Sequence, residues 1–473
     1  MPNEHIHNIR QLISYSGIPG DFDIVPLPVS GSNRQYFRAT NKENSDKTLI
    51  ISFNDDVSEN IAQYAYTSHF RSLGFRVPKI IAKDETYKYF ILQDLGRNAL
   101  FDVLKTSYKE AAEYYKQVVE DLVNFQVDGI KNLDIDVAYP VKYFDRRSIL
   151  WDLNYFKYYF VKASNINFNE NSLEDDFEAF ASRLLECDNN FFCYRDFQSR
   201  NIVIYLGDPW YIDFQGGRMG PLQYDLVSLL NQVKANLNED FKKNIYDHYL
   251  TTLEKKLPGR STEFEKYYHD FEYFRLMQVL GAYGFRGLVQ KKAHFLQSIV
   301  PAISSLGMLL EKSPFSDQFP ELYKILHEII KLNQYTTIEY KPGLNVSVNS
   351  FSYKKKGIPL DMTGNGGGHV FDCRSLPNPG RIPHLRDHTG MEIPIIQYLE
   401  EKKEVIDFLN TTKKIIFQSI DNYLERGFIN LQINFGCTGG RHRSVYSANM
   451  IKKYIEEKYP KLNITLSHNE LLE

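Results

Sequence analysis

Cysteine is scarce in this chain: four residues, at 187, 193, 373 and 437, with no spacing that suits a metal. So few thiols in 473 residues exclude a disulfide-built scaffold and fit a reducing compartment. Net charge is also small, −3 at neutral pH, so nothing draws the whole molecule to nucleic acid or an anionic membrane, and any basic site must be local. No uninterrupted apolar run approaches the roughly 18 residues of a membrane span. The N-terminal stretch MPNEHIHNIRQLISYSG mixes charges into its apolar residues and lacks a signal-peptide core. A soluble, cytoplasmic protein with no membrane partner is expected.

What is present is the composition of a globular protein, 43% hydrophobic and 24% charged, in a chain too long for one core, so two or three domains are expected. The 33 Tyr and 32 Phe are spread through helical stretches and read as core and half-buried helix faces. Residues 4–16 read as a helix. DIVPLPVSGSNRQYFRAT gives two strands about a turn at Ser30, Gly31, Ser32 and Asn33, and KTLIISFN gives a third. NIAQYAYTSHFRSLG is helical and ends on Gly74, and KYFILQDLG is a strand running into a hinge. Residues 100–331 are mostly helical, interrupted by NIVIYL and PWYIDF, which form a hairpin about Gly207 and Asp208.

Residues 335–343 turn polar and extended, as a linker does. Beyond them come the strand LNVSVNSFSY, a loop containing Gly364, Gly366, Gly367 and Gly368, and the segment HVFDCRSLPNPG. A long charged helical region (395–426), the strand INLQINF, the turn GCTGGRH and the helix RSVYSANMIKKYIEEKY follow. The expected fold class is an α+β kinase-like bilobal domain, 1–334, with a small β lobe and a mostly helical large lobe. A small α/β domain, 344–473, follows the linker.

The kinase-like expectation rests on Tyr194-Arg195-Asp196-Phe197-Gln198-Ser199-Arg200-Asn201 followed by Ile212-Asp213-Phe214-Gln215. Asp196 is placed to accept the proton of an attacking hydroxyl. Asn201 and Asp213, at opposite ends of the hairpin, supply the hard oxygen ligands that Mg²⁺ prefers when it holds ATP phosphates. A loose phosphoryl-transfer transition state asks more for orientation than for basicity, so an ordinary carboxylate suffices. Asp225, in GPLQYDLVSLL, reads as structural. For the acceptor, Asp145, Arg146 and Asp152 at a helix mouth, with Arg200, are the candidate binding residues, and Asp145 equally reads as a helix N-cap.

Over residues 20–330 the chain resembles the aminoglycoside phosphotransferase/choline kinase family, and most of all its N-acetylmuramate/N-acetylglucosamine anomeric kinases. SGSNRQYFRA, RVPKIIAKD, LQDLG, YFDRRSILWDLNYF, YRDFQSRNIVI and YIDFQGGRMGPLQYDLVSLL carry the likeness. It implies a bilobal fold and ATP- and Mg²⁺-dependent phosphorylation of an amino sugar at its anomeric hydroxyl. Two departures stand out. Tyr194 replaces the family's usual His, and KTLIISFN has no Lys where kinases anchor the nucleotide, Ser52 lying near that place. Backbone N–H groups of Ser30, Gly31, Ser32 and Asn33, with Arg34 or Arg38, are expected to take over phosphate neutralisation.

In the last domain Cys437, Thr438, Gly439, Gly440, Arg441, His442 and Arg443 lie between a strand and a helix. Small residues let amides converge, the helix N-terminus adds a positive end and the arginines add charge, which together make a phosphate cradle. Cys437-x5-Arg443-Ser444 also matches the signature of cysteine-dependent phosphatases. Residues 344–460 resemble the C-terminal domain of RapZ, an RNase adapter family, through SFSYKKKGIPLD, FDCRSLPNPGR, HTGMEIPIIQYLE and GCTGGRHRSVYSA. That likeness implies an amino-sugar phosphate as ligand and RNA as a partner in some relatives. With 14 Lys and Arg against 13 Asp and Glu in residues 369–473, RNA has little electrostatic support. Arg374, Arg381 and Arg386, with Arg441 and Arg443, suit a single phosphate site equally well, and His369, His384 and His442 are further candidates there.

The two halves together suggest an amino-sugar kinase with a sugar-phosphate-sensing domain, coupled by feedback in cell-wall sugar recycling. A regulatory nucleotide- and sugar-phosphate-binding protein acting on RNA or protein, and a bifunctional kinase–phosphatase, are the alternatives. Oligomeric state is not legible.

Overall fold

The computed structural model describes residues 2–28, 34–332, 335, 341–363 and 368–471. Ser30, Gly31, Ser32 and Asn33, most of the expected linker, and Gly364, Gly366 and Gly367 lie outside the described residues.

The chain opens with helix α1 (Pro2–Tyr15) and strands β1 (Phe22–Pro26), β2 (Gln35–Asn41) and β3 (Thr48–Phe53). Helix α2 (Val57–Ser72) and strands β4 (Ile80–Lys83) and β5 (Tyr89–Gln93) follow. The five strands make one antiparallel sheet in the order β1-β2-β3-β5-β4. Ile9, Leu12 and Ile13 recur at helical spacing on α1 and pack with Phe37, Ile51 and Ile91. Asp56 caps α2, accepting the Glu59 N–H at 3.2 Å. The helix ends where Gly74 takes a left-handed φ of 83°, which lets the Phe75 N–H reach the Phe70 carbonyl.

Next come α3 (Leu100–Thr106), α4 (Tyr108–Val127), α5 (Arg146–Phe156), α6 (Glu170–Leu184) and strand β6 (Phe191–Cys193). The hairpin strands β7 (Ile202–Tyr205) and β8 (Asp208–Tyr211) and the short β9 (Arg218–Gly220) precede α7 (Gln223–Leu230). Then come α8 (Glu239–Lys256), α9 (Arg260–Tyr283), α10 (Ala293–Lys312) and α11 (Pro320–Ile329). The β7–β8 hairpin is where the sequence suggests it, whereas β4, β6 and β9 are too short to show a period. β6 pairs antiparallel with β9, so Cys193 faces Arg218 across the pair. α10 is long and apolar enough to cross a membrane by length and composition. Its Ser298, Ser304, Ser305 and Glu311 break any uninterrupted run, which is why none is visible in the sequence.

The last segment folds as β10 (Asn345–Ser352), β11 (His369–Asp372), α12 (Ile393–Glu400), α13 (Lys403–Glu425), β12 (Asn430–Cys437), α14 (Arg443–Lys458) and β13 (Asn463–His468). Its four strands are parallel, ordered β11-β12-β10-β13. Parallel pairing demands crossover helices, and α12, α13 and α14 provide them. The single helical region expected over 395–426 is two helices, broken at Glu401 and Lys402, which lets Leu399 and Val405 enter one core with Ile433, Phe435 and Ile451.

By compactness the chain divides into two units. Met1–Tyr155, Phe168–Val279 and Ser305–Lys324 form the first; Phe156–Asn167, Leu280–Ser304 and Ile325–Glu473 form the second.

Candidate functional site

In the first unit the β7–β8 hairpin sets the geometry. Ile202 pairs with Tyr211, and the Ile212 N–H donates to the Asn201 carbonyl at 3.0 Å, so Asn201 and Asp213 leave the hairpin side by side. The Asn201 side-chain amide donates to the Asp196 carbonyl at 2.9 Å and to Asp213 Oδ2 at 3.1 Å. With the amide nitrogen so used, Oδ1 is the atom Asn201 offers to a cation. Asp213 has a left-handed φ of 71°, and its Oδ1 accepts from Gln215 Nε2 at 2.8 Å.

Burial and the neighbouring Asp196 charge push the Asp213 pKa up, against the pull of Arg200 and Arg34. Two carboxylates and an amide oxygen, short of positive charge, are a donor set that fits Mg²⁺. Among the described residues no cluster of three or more His, Cys, Asp or Glu could hold a metal. The fit is therefore to an ion that completes its shell with substrate phosphates and water, not to a closed protein cage.

Asp196 is half-buried, and its carboxylate has no hydrogen-bond partner among the described residues. The turn that presents it is held from below. Asp225, fully buried on α7, accepts the Tyr194 N–H at 2.6 Å and the Arg195 N–H at 2.9 Å, and burial raises its pKa to about 7. The structural role expected for Asp225 is thus exerted on the turn that carries Asp196. Tyr194, where the family has His, is 1% exposed and donates its hydroxyl to the Ile212 carbonyl at 2.6 Å, tying the Asp196 turn to the Asp213 segment. Gly217 also allows close packing: a Cβ there would come within 2.3 Å of the Phe192 ring.

The other expected site residues separate. Asp152 meets the Asp196 turn, accepting from Arg195 Nη2 at 3.3 Å and Gln278 Nε2 at 2.8 Å. Asp145 accepts the Ser148 N–H at 2.8 Å ahead of α5, as an N-cap does, and Arg146 pairs with Glu178 at 2.7 Å on an exposed face. Arg200 is exposed. Arg34 is 3% exposed and pairs with Glu59 at 3.0 Å, while Arg38 donates twice to Asp94, at 2.7 and 3.0 Å. Glu59, Gln215, Arg195 and Gln278 are additions that sequence reasoning missed. Arg195 and Gln215 lie within the motif strings and carried a local signal; Glu59 and Gln278 carried none.

A cavity of about 560 Å³ lined by Gly74, Arg76, Asp121, Asp128, Lys131 and Tyr211 contains none of the Asp196 cluster. There Asp121 accepts from Arg76 and from the Tyr211 hydroxyl, both at 2.6 Å.

In the second unit β12 ends at Cys437 and α14 begins at Arg443, with the small-residue turn between them. Gly440 has a left-handed φ of 72° and donates its N–H to Cys437 Sγ at 3.2 Å; Ser444 Oγ lies 3.1 Å from the same sulfur. Arg443, 5% exposed, donates to the Arg374 carbonyl at 2.8 Å and the Leu376 carbonyl at 3.0 Å. Arg441 donates to the Asp387 carbonyl at 3.1 Å, and His442 Nε2 lies 3.1 Å from the Arg386 carbonyl. Burial lowers the His442 pKa. Arg374 is held by Asp372 at 2.7 Å, and Arg381, His384 and Arg386 are exposed. His369 Nε2 lies 2.8 Å from Ser419 Oγ, so its partner is on α13.

Residues 23–260 match the phosphotransferase enzyme family, and residues 344–472 match the RapZ C-terminal domain. A nucleotide-binding protein of Histophilus somni is 30% identical over 226 residues, 46% of this chain and 72% of that protein. A nucleotide-binding protein of Clostridium kluyveri is 40% identical over 121 residues, 26% of this chain and 39% of that protein. Among solved structures, a choline/ethanolamine kinase family protein from Mesorhizobium loti is 12% identical with a TM-score of 0.45, over 69% of this chain and 99% of its own. The ethanolamine kinase of Plasmodium vivax is 12% identical with a TM-score of 0.42, over 68% and 86%.

Proposed function

Because this chain belongs to the phosphotransferase enzyme family over residues 23–260 and carries a RapZ C-terminal domain over 344–472, we propose that it transfers the γ-phosphoryl group of ATP to a hydroxyl of an amino sugar. The observation that carries the reading is the joining of Asp196, Asn201 and Asp213 by the Asn201 side-chain amide. Asp196 accepts the proton of the acceptor hydroxyl as the O–P bond forms and ADP leaves. Asn201 Oδ1 and the Asp213 carboxylate would hold Mg²⁺, which would supply charge neutralisation for the transferring phosphoryl group. Tyr194 and Asp225 keep the two segments in register, so that the acceptor oxygen and the base meet without searching. Asp152, held by Arg195 and Gln278, is the side chain we assign to the acceptor's hydroxyl or acetamido group. The amino-sugar class rests on the sequence likeness.

In the second unit the turn between Cys437 and Arg443 binds the phosphate of a sugar phosphate through its backbone amides and the start of α14. Such a ligand would report product or pathway level to the kinase, in a cytoplasmic setting.

The test is ADP release by the full chain with Mg-ATP across amino sugars, neutral hexoses, choline, ethanolamine and aminoglycosides. Turnover confined to amino sugars, accelerated or slowed by added amino-sugar phosphate, supports the whole reading. Turnover with choline or aminoglycosides instead would replace the substrate, and none with any acceptor would remove the enzyme.

A further inference from the structure

In protein kinases a lysine on the third strand of the small sheet pairs with a carboxylate on the neighbouring helix. Here β3 reads TLIISF, and Ser52 is 1% exposed between Tyr36 on β2 and Phe90 on β5, so the strand supplies no charge. The helix carboxylate is nevertheless present and occupied. Glu59, on the first turn of α2, pairs at 3.0 Å with Arg34, which stands immediately before β2 and whose side chain is 2% exposed. Gln63, one turn further along α2, accepts from the same guanidinium.

Glu59 in turn is linked to the metal side of the site. Its Oε2 accepts from Asn54 Nδ2 at 2.8 Å and its Oε1 from Gln215 Nε2 at 3.2 Å. The same Gln215 nitrogen donates its other hydrogen to Asp213 Oδ1 at 2.8 Å. One amide nitrogen with two hydrogens thus bridges two carboxylates. Arg38, within β2 itself, is committed to Asp94 and to the Gly96 carbonyl.

We propose that Arg34 replaces the missing strand lysine as a positioning residue: it holds Glu59, and Glu59 through Gln215 orients the Asp213 carboxylate toward the cation. Arg34 acts through the carboxylate and does not touch phosphate, because its guanidinium is buried against α2. The inference rests on the phosphotransferase reading and adds to it the connection between the small sheet and the metal ligand. It also accounts for an uncharged β3 beside an intact Asp196, Asn201 and Asp213.

The experiment measures Mn²⁺ binding in the presence of ADP by electron paramagnetic resonance, on the full chain without acceptor. Arg34→Gln, Glu59→Gln and Gln215→Leu are each expected to weaken Mn²⁺ about 10- to 100-fold, the usual cost of removing a group that orients a metal ligand. Arg34→Lys should recover most of that loss, and acceptor KM should not move. Gln215→Leu leaves the buried ion pair intact, so it decides the matter if Arg34→Gln fails to fold. Wild-type Mn²⁺ affinity in Gln215→Leu, or in a folded Arg34→Gln, would reduce the pair to a staple between the loop and α2. Absence of Mn²⁺–ADP binding by the wild-type protein would overturn the phosphotransferase reading itself.

Discussion

Asn201 and Asp213, which precede and follow the β7–β8 hairpin, meet at its open end, where the Asn201 side-chain amide donates to the Asp213 carboxylate at 3.1 Å. That bond engages the Asn201 amide nitrogen and leaves its Oδ1 for a cation. Asp213→Asn or Asn201→Ala should each lower kcat about 10²–10³-fold, the scale of losing one preorganised electrostatic group. Raising Mg²⁺ should recover part of the loss in Asn201→Ala, where the carboxylate survives. A magnesium titration of kcat separates the two variants.

Asp225 accepts two main-chain N–H groups of the turn that carries Asp196 from a fully buried position. Asp225→Ala would strand both donors. The expected cost is about 2–4 kcal/mol of stability, with kcat falling because Arg195, at a left-handed φ of 77°, loses the bond that holds it. Denaturant unfolding measures the first, and turnover below the unfolding transition measures the second.

What could be read from the sequence was what lies close together in it. The hairpin, the Asp196, Asn201 and Asp213 spacing, and the turn after INLQINF are each contained within about twenty residues, where period and turn chemistry are visible. Partners that meet only on folding were invisible. Glu59 lies 156 residues from Gln215, and Gln278 lies 126 from Asp152, with no local pattern to mark either. Strands of three or four residues, such as β6, β9 and β11, carry too few alternations to declare themselves. Asp145 and Arg146 show the opposite difficulty. Charged residues at a helix start look the same whether they bind a ligand or cap the helix, and here they serve a cap and a surface ion pair.

The two units should answer acid differently. His442 and His468 in the second unit have pKa values lowered chiefly by burial, so the folded state holds them neutral. The unfolded chain takes up their protons first, near the usual value of about 6.5. The stability they contribute is complete above that pH and is lost as pH falls below it toward the folded values. Asp225 has the reverse sign. Raised to about 7 in the fold, it favours the protonated form, and its contribution declines as pH rises from about 4 toward 7. Unfolding followed by hydrogen exchange between pH 7.5 and 5 should show the second unit weakening first, less so in His468→Gln.

Cys437 resembles a nucleophile by spacing, yet it is 3% exposed with its sulfur against the Gly440 N–H and Ser444 Oγ, and Arg443 Nη1 donates to the Arg374 and Leu376 carbonyls. No hydrolysis of p-nitrophenyl phosphate that disappears in Cys437→Ser is therefore expected. Arg443→Ala should instead destabilise the second unit by about 2–4 kcal/mol, since buried carbonyls lose their donor. A phosphatase assay and a melting curve decide between the two roles.

Phosphorus NMR of the products reads out Asp196-dependent phosphoryl transfer to an amino sugar. With Mg-ATP and N-acetylmuramate or N-acetylglucosamine, a new anomeric phosphate resonance is expected alongside ADP, its rate of appearance reduced about 10²–10⁴-fold by Asp196→Asn. Conversion of ATP to ADP and inorganic phosphate alone, or the same sugar phosphate at undiminished rate in Asp196→Asn, would contradict it.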